Sequence, residues 1–401
     1  MLKHWLPTAL GNPNFARYAL GSVFNTSSFW VQRLCFGWLA WELTGSEFWV
    51  GLVAFLLFFP VVLFGPFFGV LADRVNRQKA AVTVLTIAVF TLLLLAAAHL
   101  GGVLGVELLC VFAAGIGVIT SAYSPLRMAM IASLVERHEL ASAVATGAII
   151  FNLSRLVGPA VAGFIINYAG AGIAILVSVA MVMPMIITLP RLVFRNDRSG
   201  APPKRGLRSL QEGLVYVRRH PRIVNFLLLS AVISVFGRGI LELLPAFADG
   251  MFERGSSGLA MMTAAAGVGA IIAGFLLARR SPESLIPLSL GSLGCIVILF
   301  SMSHSFEIGL LLVALMGFSI TICGVGTQTL LQILVDEDYR GRVMSIWGVV
   351  GFGGTAIGGL LIGLVSSSIG LSGATLAAGC CCLAGAILLW KSVTGNPNLL
   401  A

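Results

Sequence analysis

Apolar runs of about twenty residues, the length that crosses a bilayer as a helix, follow one another along almost the whole chain. Residues 50–68 carry no charged or polar side chain. GVLADRVNRQK (69–79) then sets one carboxylate and three cations within seven residues, and AVTVLTIAVFTLLLLAAA resumes the apolar pattern. Soluble domains carry roughly 25% charged residues. This chain is 58% hydrophobic and 10% charged, so no soluble core could hide its apolar surface and its solvent is lipid. A hydrocarbon core of about 30 Å takes roughly 20 helical residues at about 1.5 Å each. That ruler places spans near 16–43, 48–71, 79–100, 104–131, 141–168 and 171–190, and near 223–247, 258–278, 284–302, 307–334, 343–366 and 373–391. The expected fold is an all-α membrane protein of twelve transmembrane helices.

The net charge of +9 could suggest nucleic acid, but the placement of the cations gives another reason for it. With the N-terminus in the cytoplasm, Lys3, Arg17, the 74–79 cluster, Arg137, Arg279, Arg280, Arg340, Arg342 and Lys391 all face inward. So do the cations of RLVFRNDRSGAPPKRGLRSLQEGLVYVRRHPR, whereas the other side receives only Arg254 and a set of acids. Positive charge collects on the cytoplasmic side of membrane proteins. The expectation is a multi-pass membrane protein, both termini cytoplasmic, with the lipid bilayer and no nucleic acid as partner. Residues 1–190 and 223–401 form two six-span halves; 191–222 is a linker. Within it Leu207, Leu210, Leu214 and Val217 recur at helical spacing and mark an amphipathic surface helix.

No catalytic set is present. The seven cysteines lie inside apolar segments without a CxxC pair, and read as small apolar fillers. The five histidines sit at span ends or in loops, and HExxH and phosphate-cradling glycine loops are missing. No enzyme activity, cofactor or metal is expected. The opening MLKHWLPTALGNPNF is too polar and proline-broken for the apolar region of a cleaved signal.

The halves resemble each other. Gly69-x-Leu71-x-x-Arg74 returns as Gly274-x-Leu276-x-x-Arg279 after 205 residues, and Leu134-Val135-Glu136 as Leu334-Val335-Asp336 after 200. Helix character also repeats every three spans. Spans one, four, seven and ten carry polar stripes: Ser22, Asn25, Phe29 and Gln32 with Thr26 and Arg33; Thr120, Ser124 and Arg127; Ser230, Ser234, Arg238 and Glu242; Gln328 and Gln332. Spans two, five, eight and eleven carry glycines, and the remaining four are mostly aliphatic. In lipid a polar stripe needs a wet cavity or a partner, and glycine faces let helices approach closely. The pattern describes a cavity, a moving seam and a lipid-facing scaffold.

GVLADRVNRQK resembles the loop between helices two and three of the major facilitator superfamily, roughly G-x-L-x-D-R-x-G-R and a cation. Gly69, Leu71, Asp73, Arg74 and Arg77 match; Asn76 stands for the usual glycine and Gln78 for a usual cation. Asparagine tolerates a left-handed backbone, so the turn is expected to survive. WELTGS, SPLRMAMIASLV, SRLVGPAVAGF, EGLVYVRRHP and YRGRVMS are similar to the exporter branch that contains enterobactin and macrolide efflux proteins. GPAVAG is an imperfect form of the antiporter signature GPxxGG, with Ala162 for one glycine. The resemblance implies two pseudo-symmetric six-helix bundles and alternating access. It also implies an inner gate of Gly69, Asp73, Arg74, Arg77 and Glu136, in which Asp73 accepts hydrogen bonds from the N-terminus of helix eleven and Arg77 pairs with Glu136 or Glu139. The arginines also fit a bland reading as topogenic charges; Asp73 does not.

Ionisable groups inside spans are Arg33, Arg127, Arg155, Arg238 and Glu242, each costing about 2.5–3.5 kcal/mol at mid-bilayer unless wet or paired. Arg238 and Glu242, one turn apart, read either as a self-neutralising structural pair or as a proton-coupling site. Asn25, Gln32, Arg33, Arg127, Arg155, Gln328 and Gln332 are the candidate substrate-binding residues. The resemblance implies secondary active export, by a monomer in a bacterial inner membrane and driven by protons, of a small amphipathic organic molecule that is drug-like or siderophore-like, anionic or neutral. An importer or uniporter of the same fold, or a membrane sensor or scaffold that moves nothing, stays open.

Overall fold

The computed structural model describes residues 8–72, 74–194 and 206–394, which are helical nearly throughout. In chain order the helices are α1 (Pro13–Thr44), α2 (Glu47–Ala72), α3 (Arg77–Leu100), α4 (Val106–Leu134), α5 (Leu140–Thr188), α6 (Gly206–Arg219) and α7 (Pro221–Val232). A π-helical stretch (Ile233–Arg238), α8 (Gly239–Glu242) and a second π stretch (Ala246–Met251) follow directly. The chain continues as α9 (Gly255–Leu277), α10 (Pro282–Ser301), α11 (Phe306–Leu334) and α12 (Glu337–Thr394).

At 49 and 58 residues, α5 and α12 are about twice the length that one crossing needs. Each is two helices joined at one glycine, Gly170 (φ 83°, ψ 165°) and Gly370 (φ 75°, ψ 161°), a backbone region that is essentially glycine's alone. The two breaks lie 200 residues apart, the spacing of the Leu-Val-acid repeat, and they fall in the gaps the apolar pattern left at 168–171 and 366–373. Among the described residues, eight helical stretches are long and apolar enough to cross a membrane, two of them containing these breaks. With α1 and α10 the described residues make twelve crossings. Gly370→Ala should therefore lose about 1–3 kcal/mol from backbone strain alone, since no atom lies within 4 Å of the added methyl. Gly274→Ala, equally open but helical, should be neutral or slightly stabilising; thermal unfolding of the two detergent-solubilised variants checks this.

The chain forms two compact units, Met1–Leu39 with Pro60–Gly206, and Ala40–Phe59 with Leu207–Ala401. In the first, α1, α4 and the second half of α5 share a core of Phe15, Tyr18, Leu126, Met130, Leu134, Val182 and Met185. Gly158 of the GPAVAG motif lies against α1, where a methyl would stand 2.6 Å from Trp30 Cβ and 3.0 Å from the Ser27 carbonyl. On the same face Ser27 Oγ donates to Ser154 Oγ at 3.0 Å. The turn before α3 differs from expectation. Asn76 keeps a negative φ of −69° in an extended conformation (ψ 107°) and acts as N-cap, its Oδ1 accepting from the Lys79 N–H at 3.0 Å. A capping side chain, which glycine lacks, explains asparagine here.

In the second unit the glycine faces bring backbones together. Methyls on Gly269 and Gly317 would strike the carbonyls of Ala314 and Ala266 across the α9–α11 contact. Methyls on Gly239 and Gly358 would strike the backbones of Gly358 and Val235. Trp41, at the end of α1, donates its indole N–H to Asp249 Oδ2 at 2.8 Å. The amphipathic helix is α6. Its Tyr216 hydroxyl donates to Asp336 Oδ2 at 3.0 Å and its ring stacks on Tyr339 at 4.3 Å, while Glu212 meets Arg342 at 3.2 Å. Val217 is buried and Leu214 is exposed; the side chains of Leu207 and Leu210 lie outside the description. Large apolar side chains point outward on both units, among them Phe164, Phe275 and Leu288, as a lipid solvent requires.

Candidate functional site

The polar stripe of the seventh span begins on α7 with Ser230 and continues into the π stretch with Ser234 and Arg238. A π stretch interrupts the regular ladder of backbone bonds and frequently marks a functional position in a helix. Ser230 and Ser234 are 5% and 2% exposed, and with Arg238 they line a cavity of about 10 Å³. Its remaining walls are Ile233, Gly324 of α11, and Trp347 and Gly351 of α12. The two glycines give the half-buried guanidinium its space: a methyl on Gly324 would stand 2.5 Å from Arg238 Nη2, and one on Gly351 3.8 Å from Nη1. The Ser230 hydroxyl and the Trp347 indole N–H are buried and have no hydrogen-bond partner among the described residues.

Glu242 closes α8 one turn beyond Arg238 and is 8% exposed. Its stem lies over Gly359 of α12, where a methyl would stand 3.3 Å from Glu242 Cβ. Leu243 leaves the helical region (φ −92°, ψ 8°) immediately afterwards, and Pro245 follows. The carboxylate therefore sits at the end of a regular turn, between two π stretches. Gln328 on α11 is half-buried and Gln332 is exposed; neither lines the cavity.

The first unit uses its polar residues differently. Gln32 is 8% exposed and its amide donates to Ser28 Oγ at 2.8 Å, while Ser28 Oγ donates to the Ser178 carbonyl at 2.7 Å. The side chain is thus held in a buried network between α1 and α5. Asn25 is half-buried, and so is Arg33, whose guanidinium lies 4.9 Å from the centre of the Trp30 ring. Arg127 and Arg155 are half-buried. Arg127 is within electrostatic reach of the Tyr18 and Tyr123 phenols, whose buried hydroxyls have no hydrogen-bond partner among the described residues. Spacing alone did not single out Tyr18 or Trp347: an aromatic in an apolar span looks like packing, and only the structure exposes the unsatisfied O–H or N–H. Of the gate set, Gly69 and Arg77 are half-buried, and Arg74 and Glu136 are exposed. Glu136 meets His138 at 3.4 Å, and Asp73 lies outside the described residues.

A family model described as transmembrane secretion effector matches residues 5–396. The chain belongs to that family. It is a multi-pass membrane transporter of the major facilitator type and not an enzyme. Macrolide efflux protein A of Streptococcus pyogenes is 25% identical over 342 residues, covering 82% of this chain and 84% of the relative. The staphyloferrin A transporter of Staphylococcus aureus is 23% identical over 364 residues, covering 85% and 87%. A bacterial homologue of the human lysosomal transporter Spinster, in an inward-facing and unoccupied conformation, shares the fold with a TM-score of 0.77 at 15% identity, over 95% and 97% of the two chains. The twelve helices expected from the apolar pattern, and the major facilitator fold that the motif resemblance implied, are the fold observed.

Proposed function

We propose that this transporter exports a small amphipathic organic molecule from the bacterial cytoplasm and is driven by the inward proton gradient. The observation that carries the reading is Glu242: a carboxylate 8% exposed inside a span, one turn from an arginine, on a helix broken by π stretches on either side. Such a group can hold a proton in one conformation and release it in another as water and the guanidinium gain or lose access to it. The relative whose name specifies macrolide efflux supports export and an amphipathic substrate. Arg33, Arg127, Arg155 and Arg238, outnumbering the one acid among the ionisable groups singled out in the spans, support a substrate with anionic character. Asn25, Gln32, Gln328 and Gln332 are further residues proposed to contact it.

The reading includes a monomer with both termini in the cytoplasm and an inner gate of Gly69, Asp73, Arg74, Arg77 and Glu136. Asp73→Asn removes the anion that would hold that gate closed. Inverted membrane vesicles energised to an acid interior should accumulate a labelled macrolide, and Asp73→Asn vesicles with normal protein content should show less than a tenth of that uptake. Full uptake by the variant would remove the gate, and failure of native vesicles to accumulate either a macrolide or an amphipathic carboxylate would remove the export reading. Orientation has its own test on a cysteine-free background: a thiol at exposed Arg218 should react only from the cytoplasm, and one at exposed Ser257 only from outside. Both reacting from one side would overturn the topology.

A further inference from the structure

The cavity beside Arg238 is lined by seven residues whose polar side chains are two serines, one indole and one guanidinium. An indole N–H and a guanidinium can only donate hydrogen bonds, and a serine hydroxyl can donate. No carboxylate, amide or imidazole belongs to the lining, so the side chains supply strong donors and no strong acceptor. Two of these donors, the Ser230 hydroxyl and the Trp347 N–H, are buried without a partner among the described residues. Leaving buried donors unmade is unfavourable, and buried polar groups are normally met by a hydrogen-bond partner. A guanidinium presents five N–H donors, so a carboxylate at one edge, such as that of Glu242, leaves donors for a second oxygen. At about 10 Å³ the cavity is close to the smallest space that admits one water-sized atom group.

We propose that this cavity is an oxyanion subsite, receiving one oxygen of a carboxylate or phenolate on the transported molecule through Ser230, Trp347 and Arg238. The proposal rests on the reading of the chain as an exporter of organic molecules and names the group by which such a molecule is held. Charge-assisted hydrogen bonds are roughly twice as strong as neutral ones, so anionic molecules are selected over neutral molecules of the same shape. The narrow space admits the oxygen and leaves the apolar body of the molecule outside. Gly324 and Gly351 are then specificity elements, because a side chain at either position would displace the guanidinium or fill the space beside it.

The test is binding, which can fail or succeed independently of uphill transport. Full-length protein in lipid nanodiscs, in chloride-free buffer with tetrafluoroborate, a weakly coordinating anion, as counter-ion, is titrated with sodium benzoate, its neutral isostere benzamide, or sodium chloride. Calorimetry and tryptophan emission are followed together. Benzoate should bind saturably and alter the emission, benzamide should bind at least tenfold more weakly, and Trp347→Phe should abolish the emission change. Arg238→Gln should weaken benzoate at least tenfold. Ser230→Ala, a small change that the fold should tolerate, should weaken it severalfold while the thermal unfolding profile stays unchanged. Competition by chloride against bound benzoate would show that the same donors take both and supports the oxyanion assignment. Chloride binding that depends on Arg238 without any benzoate binding would make the cavity an inorganic-ion site and overturn the proposal. Equal affinity for benzoate and benzamide, or benzoate affinity unchanged in both Ser230→Ala and Arg238→Gln, would overturn it as well.

Discussion

Glu242→Gln is expected to abolish uphill, gradient-driven flux while substrate binding and one-for-one exchange persist. Glutamine keeps the size of the side chain and its fit over Gly359, but can no longer gain or lose a proton. Burial disfavours the charged carboxylate and a guanidinium one turn away favours it, so the balance changes whenever water or the partner gains access. In the proposed mechanism coupling uses that change and exchange does not. The expected result is a fall of at least a hundredfold in uphill transport with exchange within a few-fold of the native rate. Arg238→Ala should damage both, because it leaves the acid without its cation and removes a donor from the cavity. Native uphill rates in Glu242→Gln would assign the Arg238 and Glu242 positions to structure alone.

The second large effect is expected at Gly358. Its methyl position is already occupied by the Val235 carbonyl, and Gly239 across the contact is equally close to the backbone of Gly358. Leucine there must force the seventh-span segment from α12, and overpacking of this kind costs about 1–3 kcal/mol or more. The same contact fixes Ser234 against Gly354, where a methyl would stand 2.8 Å from Ser234 Cβ, and so positions the lining of the cavity. Gly358→Leu should lower the thermal midpoint of purified protein and reduce transport at least tenfold. Gly348→Ala, with nothing within 4 Å of the added methyl, should leave both unchanged.

The residues differ in how legible they were. Gly170 and Gly370 were legible as gaps because a span has a fixed length, and an apolar run twice that length must break. The broken seventh span was not legible. Ser230, Ser234, Arg238 and Glu242 stand four apart, which reads as one continuous helical face, whereas a π stretch is a local slip of backbone register that leaves no mark on side-chain periodicity. Spacing placed Gln32 on a polar stripe but could not supply its neighbours. Ser28 and Ser178 take up its amide from within the first unit. Asn76 shows the opposite limit: the motif position was found from sequence, but its reason, capping α3, depended on a backbone angle. Trp347 was hidden because an indole among apolar residues suggests packing until its N–H is found buried without a partner among the described residues, on a side chain that lines a cavity.

Proton-driven export is tested most directly in proteoliposomes carrying the purified protein, loaded at acid pH and diluted into alkaline buffer containing a labelled macrolide or amphipathic carboxylate. The imposed gradient should drive the compound inward through molecules oriented inside-out, above its external concentration, with protons leaving as it enters. A protonophore should collapse the accumulation, and Glu242→Gln liposomes should equilibrate without concentrating the compound. Accumulation that ignores the protonophore, or equal accumulation with Glu242→Gln, would contradict proton coupling at this site.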